Sequence, residues 1–122
     1  MIVYASRTGN VRYAVSKLQL QAVPLVANLC VQQRFILFTY TDALGAVPDE
    51  VVQFMQQHYS RCVGIFASGN RNFGEHFARA GNILAAQYDI PLLKKIELRG
   101  SARDYEEMRA LYDELMTKKV GM

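Results

Sequence analysis

The chain opens Met1-Ile2-Val3-Tyr4 and continues Ala5-Ser6-Arg7-Thr8-Gly9-Asn10-Val11, an apolar run broken by a short polar turn and followed by a helical pattern. Strand, tight turn, then helix is the order in which an α/β protein builds an anion site. The turn aims backbone N–H groups and the positive end of a helix dipole at one point. Ser6 and Thr8 add hydroxyl donors, and Gly9 is free to take φ > 0 and bring the backbone close to a ligand. No Gly-Lys-Ser/Thr follows, so this is not a Walker loop, and the three spaced glycines of a dinucleotide fingerprint are missing. The turn suits a single phosphate held by neutral donors. It also reads as a plain capped helix start, with Asn10 as the cap.

Working outward, Val11, Ala14, Val15 and Leu18 recur at helical spacing and predict a first helix over about 11–19. Residues 22–27 form a short apolar run interrupted by Pro24, which suits an edge strand. Residues 34–40, Arg-Phe-Ile-Leu-Phe-Thr-Tyr, are almost continuously apolar, as expected of a central strand covered on both faces. A loop over 41–47 ends at Pro48, which can occupy the first turn of a helix whose buried stripe is Val51, Val52, Met55 and Tyr59. Residues 62–67 read as a second buried strand and residues 68–74 as a polar loop rich in turn residues. Phe77, Ala80, Leu84 and Ala85 then repeat as a helix face. Pro91 opens a last strand over 92–98, where Lys94, Lys95, Glu97 and Arg99 break the apolar run in the manner of a protected sheet edge. Ser101, with Asp104 three residues on, caps a final helix carrying Met108, Leu111, Tyr112 and Leu115 inward. Strands alternating with helices predict a doubly wound five-stranded parallel sheet, and edge signals on the second and fifth strands select the flavodoxin-like order 2-1-3-4-5.

At 122 residues the chain reads as one domain, residues 1–122, large enough to bury roughly two-thirds of its unfolded surface without metals or disulfides. No stretch approaches the ~18 consecutive apolar residues of a membrane span, and no basic leader precedes the first strand. The expected address is the cytoplasm, with no membrane association. Cys30 and Cys62 are distant in sequence and lie in no metal-ligand spacing, so both are expected to be reduced and Cys62 to be core. The net charge of +3 comes from scattered Lys and Arg apart from pairs such as Lys94-Lys95 and Lys118-Lys119. It gives little support to a nucleic-acid stripe, and an acidic protein partner or a bound anion would use it equally.

In an open parallel sheet the ligand lies beyond the carboxyl ends of the strands, where strand order reverses. That rule gathers residues 6–10, 41–47 and 68–74. The second and third groups bring Tyr40, Leu44 and Phe73, with glycines at 45, 69 and 74. Aromatic and apolar side chains beside exposed amides suit a flat heteroaromatic ring, and one phosphate with one such ring reads as a mononucleotide, FMN foremost. Tyr40 also reads as the end of a core strand, and Phe73 as a partner for Phe77 at i+4. Arg71 is either solvated or a cation beside a reduced, anionic flavin, and His58 and His76 are expected to be structural. A low-molecular-weight phosphatase would need Cys-x5-Arg, which neither cysteine has. A response regulator would need an acidic pair after the first strand, which ends Val3-Tyr4. A redox carrier whose cofactor does the chemistry fits the residues best.

The runs Ser6-Arg-Thr-Gly-Asn10, Thr39-Tyr-Thr41, Gly45-Ala-Val-Pro48, Ala67-Ser-Gly-Asn-Arg-Asn-Phe-Gly74 and Ala80-Gly-Asn82, with Tyr88-Asp-Ile-Pro91 and Glu97-Leu-Arg-Gly100, resemble the NrdI family, flavodoxin-like activators of class Ib ribonucleotide reductase. The resemblance covers nearly the whole chain, and the run at 67–74 is its most specific part. It implies FMN, with the phosphate on Ser6, Arg7, Thr8, Gly9, Asn10 and Val11. The ring would lie among Thr39, Tyr40, Thr41, Leu44, Gly45, Ser68, Gly69, Asn70, Asn72, Phe73 and Gly74. It also implies that the reduced flavin reacts with O2 and that the superoxide or peroxide formed reaches the di-manganese small subunit, where a tyrosyl radical is generated. Gly45 would let its peptide with Leu44 reorient toward the ring. A flavin-reducing partner is implied as well, and a monomeric chain. The alternative is a general one-electron flavodoxin. Two departures stand out: Val11 replaces the last Thr of the common flavodoxin turn, and the loop after Tyr40 is short, with one glycine.

Overall fold

A computed structural model of the chain describes residues 1–117; the Lys118-Lys119 pair lies outside them. Five strands, β1 (Ile2–Tyr4), β2 (Ala22–Pro24), β3 (Phe35–Thr39), β4 (Cys62–Gly69) and β5 (Leu92–Glu97), form one sheet in the order β2-β1-β3-β4-β5. All neighbouring pairs are parallel, as the sequence pattern predicts. Val3 sits between Val23 and Leu37 in register, so the turn after β1 leaves the sheet where strand order reverses.

Four helices flank the sheet: α1 (Asn10–Leu18), α2 (Asp49–His58), α3 (Arg79–Tyr88) and α4 (Ala102–Thr117). On one face α1 and α4 bury Val11, Ala14, Leu18, Tyr105 and Met108 against Ile2, Ile36, Phe38, Phe66 and Ile96. On the other face α2 and α3 bury Val51, Phe54, Met55 and Leu84 against Val3, Phe35, Leu37 and Ile65. β3 is fully buried along its length, which is why it reads as an unbroken apolar run. The alternation of in and out positions along it simply assigns side chains to one core or the other.

The local differences from the sequence reading have physical causes. The connection from β2 to β3 contains no helix. Pro24 ends β2, Asn28 takes a left-handed turn at φ 66°, and Val31 is pushed into the α2 and α3 core, so a loop covers the sheet there. β4 runs on through Ser68 and Gly69, two residues longer than expected, because pairing with β5 continues to Gly69 and Glu97. Phe77 is not on a helix: Ala78 takes φ 49° as the N-cap and α3 starts at Arg79. Pro48 is the N-cap of α2 and does not enter its first turn, while Val52 and Tyr59, expected in its buried stripe, are exposed.

Lys94 and Lys95 on β5 are not solvated edge charges. Lys94 Nζ reaches Asp104 Oδ1 at 3.2 Å and Glu107 Oε2 at 2.5 Å on α4, whereas Lys95 Nζ donates to the Phe77 carbonyl at 3.1 Å on the other side. The expected cap of α4 is present and reciprocal: Asp104 N–H donates to Ser101 Oγ at 3.3 Å, and Ser101 N–H donates to Asp104 Oδ2 at 2.9 Å. His58 is buried, its Nδ1 lies 3.0 Å from the Phe54 carbonyl, and its ring stacks on Phe54 at 4.3 Å, a structural role. Cys62 is buried and Cys30 exposed, both free.

Candidate functional site

β1 ends inside the sheet, and its last residues are held from both sides. Leu25 N–H donates to the Tyr4 carbonyl at 2.7 Å and Ala5 N–H to the Phe38 carbonyl at 2.9 Å. The chain must then turn sharply into α1. It does so at Gly9, at φ 95° and ψ −8°, and Gly9 rather than Asn10 is the N-cap. A glycine cap brings no side chain to the helix end. Ser6 Oγ partly substitutes, accepting from Arg12 N–H at 3.2 Å, while Asn10 turns its side-chain amide to Thr8 Oγ1 at 3.4 Å. The N–H groups of Asn10 and Val11 find no acceptor among the described residues, the ordinary condition of a helix's first turn, and both residues line the cleft described next.

The turn opens onto a cleft of about 330 Å³ lined by Ser6, Arg7, Thr8, Asn10, Val11, Tyr40, Thr41, Ser68, Gly69, Asn70, Phe73 and Leu98, within the ~300–1,000 Å³ span of small-molecule sites. Eleven of these were expected from the sequence. Leu98 was not. It follows β5 at φ 54°, donates its N–H to the Gly69 carbonyl at 2.8 Å and receives the Ser68 hydroxyl on its own carbonyl. No signal in the sequence marked it: the strand pattern runs on through 98, and it is the left-handed turn at Leu98 that brings this residue beside Gly69.

Six expected residues are not on the cleft wall. Gly9 is part of the turn itself and sets its backbone at φ 95°. Thr39 is fully buried, its hydroxyl donating to the Tyr40 carbonyl at 2.8 Å. Leu44, at φ 60°, and Gly45, at φ 85°, form the rim of a loop closed by bonds from Asp42 N–H to Ala46 O and from Gly45 N–H to Asp42 O. A Cβ on Gly45 would crowd Arg79 Cδ at 2.9 Å and His76 Cβ at 3.3 Å, so this loop is pressed onto the start of α3 and the residues leading into it. Asn72 N–H donates to Asn70 Oδ1 at 2.9 Å, and Gly74, at φ 56°, turns the chain toward α3. Both set the backbone of the third loop.

The walls are tied together. Thr41 Oγ1 donates to the Ser68 carbonyl at 3.1 Å, linking the second and third loops. The Tyr40 hydroxyl donates to Glu50 Oε1 at 2.7 Å, and burial followed by that carboxylate raises its pKa, so the ring stays neutral and fixed. Phe73 remains exposed and does not pair with Phe77, whose ring lies under Arg71 at 4.7 Å. Arg71 also lies 3.6 Å from Glu97 Oε1, so its charge is balanced. Neutral N–H and hydroxyl donors thus gather at one end of the cleft, and flat or apolar side chains flank backbone amides at the other.

The model of the family described as "NrdI Flavodoxin like" matches residues 2–110. The chain belongs to the NrdI family. This NrdI-family chain is 36% identical over 116 residues to a protein named Protein NrdI from Macrococcus caseolyticus (strain JCSC5402), an overlap of 94% of this chain and 90% of that one. Among solved structures it resembles a short-chain flavodoxin associated with a non-canonical PDU bacterial microcompartment, with a TM-score of 0.66 at 21% identity over 95% of each chain. That likeness bears on the fold. Membership in a flavodoxin-like NrdI family implies a flavin cofactor.

The donor set fits such a group at both ends. Uncapped helix donors and the Ser6 and Thr8 hydroxyls match a phosphate, and Tyr40, Phe73 and Leu98 offer flat or apolar surface to a ring. Among the described residues no cluster of His, Cys, Asp and Glu could hold a metal ion. No described helix is long and apolar enough to cross a membrane.

Proposed function

We propose that the cleft binds FMN and that the loaded protein activates the small, di-manganese subunit of a class Ib ribonucleotide reductase. The observation that carries the cofactor is the N-terminus of α1, where Gly9 at φ 95° leaves the Asn10 and Val11 N–H groups without an acceptor among the described residues, beside a cleft that is polar at this end and aromatic at the other. FMN is favoured over a dinucleotide because the turn lacks the three spaced glycines with which a dinucleotide-binding fold brings its backbone up to a pyrophosphate. Bound there, the flavin would supply the reaction with O2 that yields superoxide or peroxide for tyrosyl-radical formation.

The protein's own residues bind and shield. Ser6, Thr8, Asn10 and Val11 hold the phosphate through neutral donors, which leaves no charged side chain to be desolvated with it. Tyr40 and Phe73 flank the ring, and Thr41, bonded to the Ser68 carbonyl, keeps their loops at a fixed separation. Leu44 and Gly45, both in the left-handed region, would border the ring edge, and glycine is where a reorientation of their shared peptide is least obstructed. Tyr40, its pKa raised by burial and by Glu50, stays protonated and keeps its hydrogen bond to that carboxylate. A cytoplasmic setting and a separate flavin-reducing partner accord with this role.

Reconstitution with FMN tests the cofactor: a bound-flavin absorption spectrum at one equivalent is expected, and no such spectrum would refute it. Retention of a class Ib small subunit on immobilised protein, followed by radical formation in the presence of reductant and O2, tests the partner.

A further inference from the structure

Arg7 is the one cation of the first turn, and a cation beside a phosphate turn is the ordinary candidate for a phosphate ligand. Its guanidinium is already engaged elsewhere. Nη1 lies 2.6 Å from Asp42 Oδ1, and Cζ stands 5.2 Å from the centre of the Tyr40 ring. Both contacts belong to the loop after β3. Asp42 is the residue that closes this loop, since its N–H donates to Ala46 O at 2.9 Å and its carbonyl accepts from Gly45 N–H at 3.0 Å. Tyr40 is anchored from behind by Glu50. Arg7 therefore crosses the mouth of the cleft and holds the wall and rim that carry Tyr40, Leu44 and Gly45, while the phosphate end keeps its own neutral donors.

We infer that Arg7 and Asp42 form a strap that positions the ring end of the cleft, and that Arg7 is not a phosphate ligand. The inference rests on the proposed flavin site. Moving Arg7 to the phosphate would leave Asp42 without its cation and Tyr40 without its cationic neighbour. The Asp42 Oδ1 in this contact is buried and accepts no directed hydrogen bond among the described residues, so charge alone holds the guanidinium to it; the two side chains as wholes are 59% and 28% exposed, and the strap is a modest contact that salt weakens. An ion pair of this kind together with an exposed cation–π contact corresponds to about a three- to tenfold change in affinity.

The test compares FMN with riboflavin, which has the same ring and side chain but no phosphate. Dissociation constants are measured by fluorescence quenching for the wild type, Arg7→Gln, Asp42→Asn and the double variant, with thermal melts to check folding. If the strap acts on the ring, Arg7→Gln weakens both ligands by the same three- to tenfold factor, and the double variant is no worse than Arg7→Gln alone. Riboflavin is uncharged, so a loss of wild-type riboflavin affinity between 0.05 and 1 M NaCl that is absent in Arg7→Gln reports the ion pair directly. A large loss for FMN with riboflavin unchanged would make Arg7 a phosphate ligand and overturn the inference. Unchanged affinity for both ligands would overturn it too. A folded wild type that binds neither ligand would refute the flavin site itself, a result separable from the other two.

Discussion

Gly9→Ala isolates the backbone of the phosphate turn from its packing. At φ 95° and ψ −8°, Gly9 holds a conformation that costs an L-residue about 1–3 kcal/mol. A Cβ at this position meets no atom within 4 Å, so crowding adds nothing. Alanine restricts the unfolded chain, which returns roughly 0.4–1 kcal/mol. The net expectation is a loss of about 1–2 kcal/mol, or roughly 4–10 °C in Tm for a domain of this size. The chain can also relieve the strain by rotating the peptides beside residue 9, and then a donor swings away from the ligand. Losing one hydrogen bond to a charged phosphate, about 1.5–3 kcal/mol, weakens FMN about ten- to 150-fold, and Gly9→Val weakens it further because a β-branched residue tolerates positive φ least. Urea denaturation of the free protein and flavin fluorescence titration separate the two effects. A Gly9→Ala protein as stable as wild type, with unchanged FMN affinity, would refute the left-handed turn and the anchoring role assigned to it.

A Cβ on Gly69 collides with the backbone N and Cα of Ala78, which cannot yield without moving the start of α3; Gly69→Ala is expected to cost about 1–3 kcal/mol or more, read as a lower urea midpoint. In the folded state Asp104 is held below its ordinary pKa: burial opposes ionisation but is outweighed by hydrogen bonds from Lys94 and Ser101. The Lys94 hydrogen bond does the same for Glu107. Their contribution is therefore present above the unfolded carboxyl range near pH ~4 and lost as the pH falls through the lower folded values. Lys94→Met should flatten the acid limb of a Tm–pH profile, and an unaltered limb would count against that ion-pair cluster. Burial pushes the Cys62 thiol up to about 11, whereas Cys30 is exposed, so a native thiol titration should find one fast group and the second only on unfolding; two fast thiols would contradict the core position of Cys62.

The legible parts of the fold were those where one physical signal acted alone. β3 is apolar throughout because helices cover both of its faces, and Pro24 marked β2 as an edge because proline cannot donate to a central ladder. Ser101 and Asp104 announced α4 because a reciprocal cap needs only those two side chains. The boundaries that were missed are those decided by tertiary contact. Val31 fills a core position without helical neighbours, so periodicity could not show that the second crossover is a loop. Ser68 and Gly69 have turn-forming composition, yet they remain strand because β5 pairs with them. At the site the three loops were readable from the topological rule, which locates chain segments and not side chains. It could not show that Thr39 points into the core, that Leu98 joins the wall, or that the guanidinium of Arg7 faces Asp42.

The crossover from β2 to β3 has a further bearing on the root of the phosphate turn. Because a loop, not a helix, covers this corner, β2 is held to the sheet by three register pairs with β1 and little overlying structure, and this edge is where hydrogen exchange should begin. Tyr4 bonds to Leu25 on that edge, but the next residue, Ala5, bonds to Phe38 on the fully buried β3. Fraying of the edge therefore removes one of two moorings and leaves the other intact. The cleft can keep its shape while the corner beside it breathes, and a crossover of different length could be accommodated there without redrawing the turn.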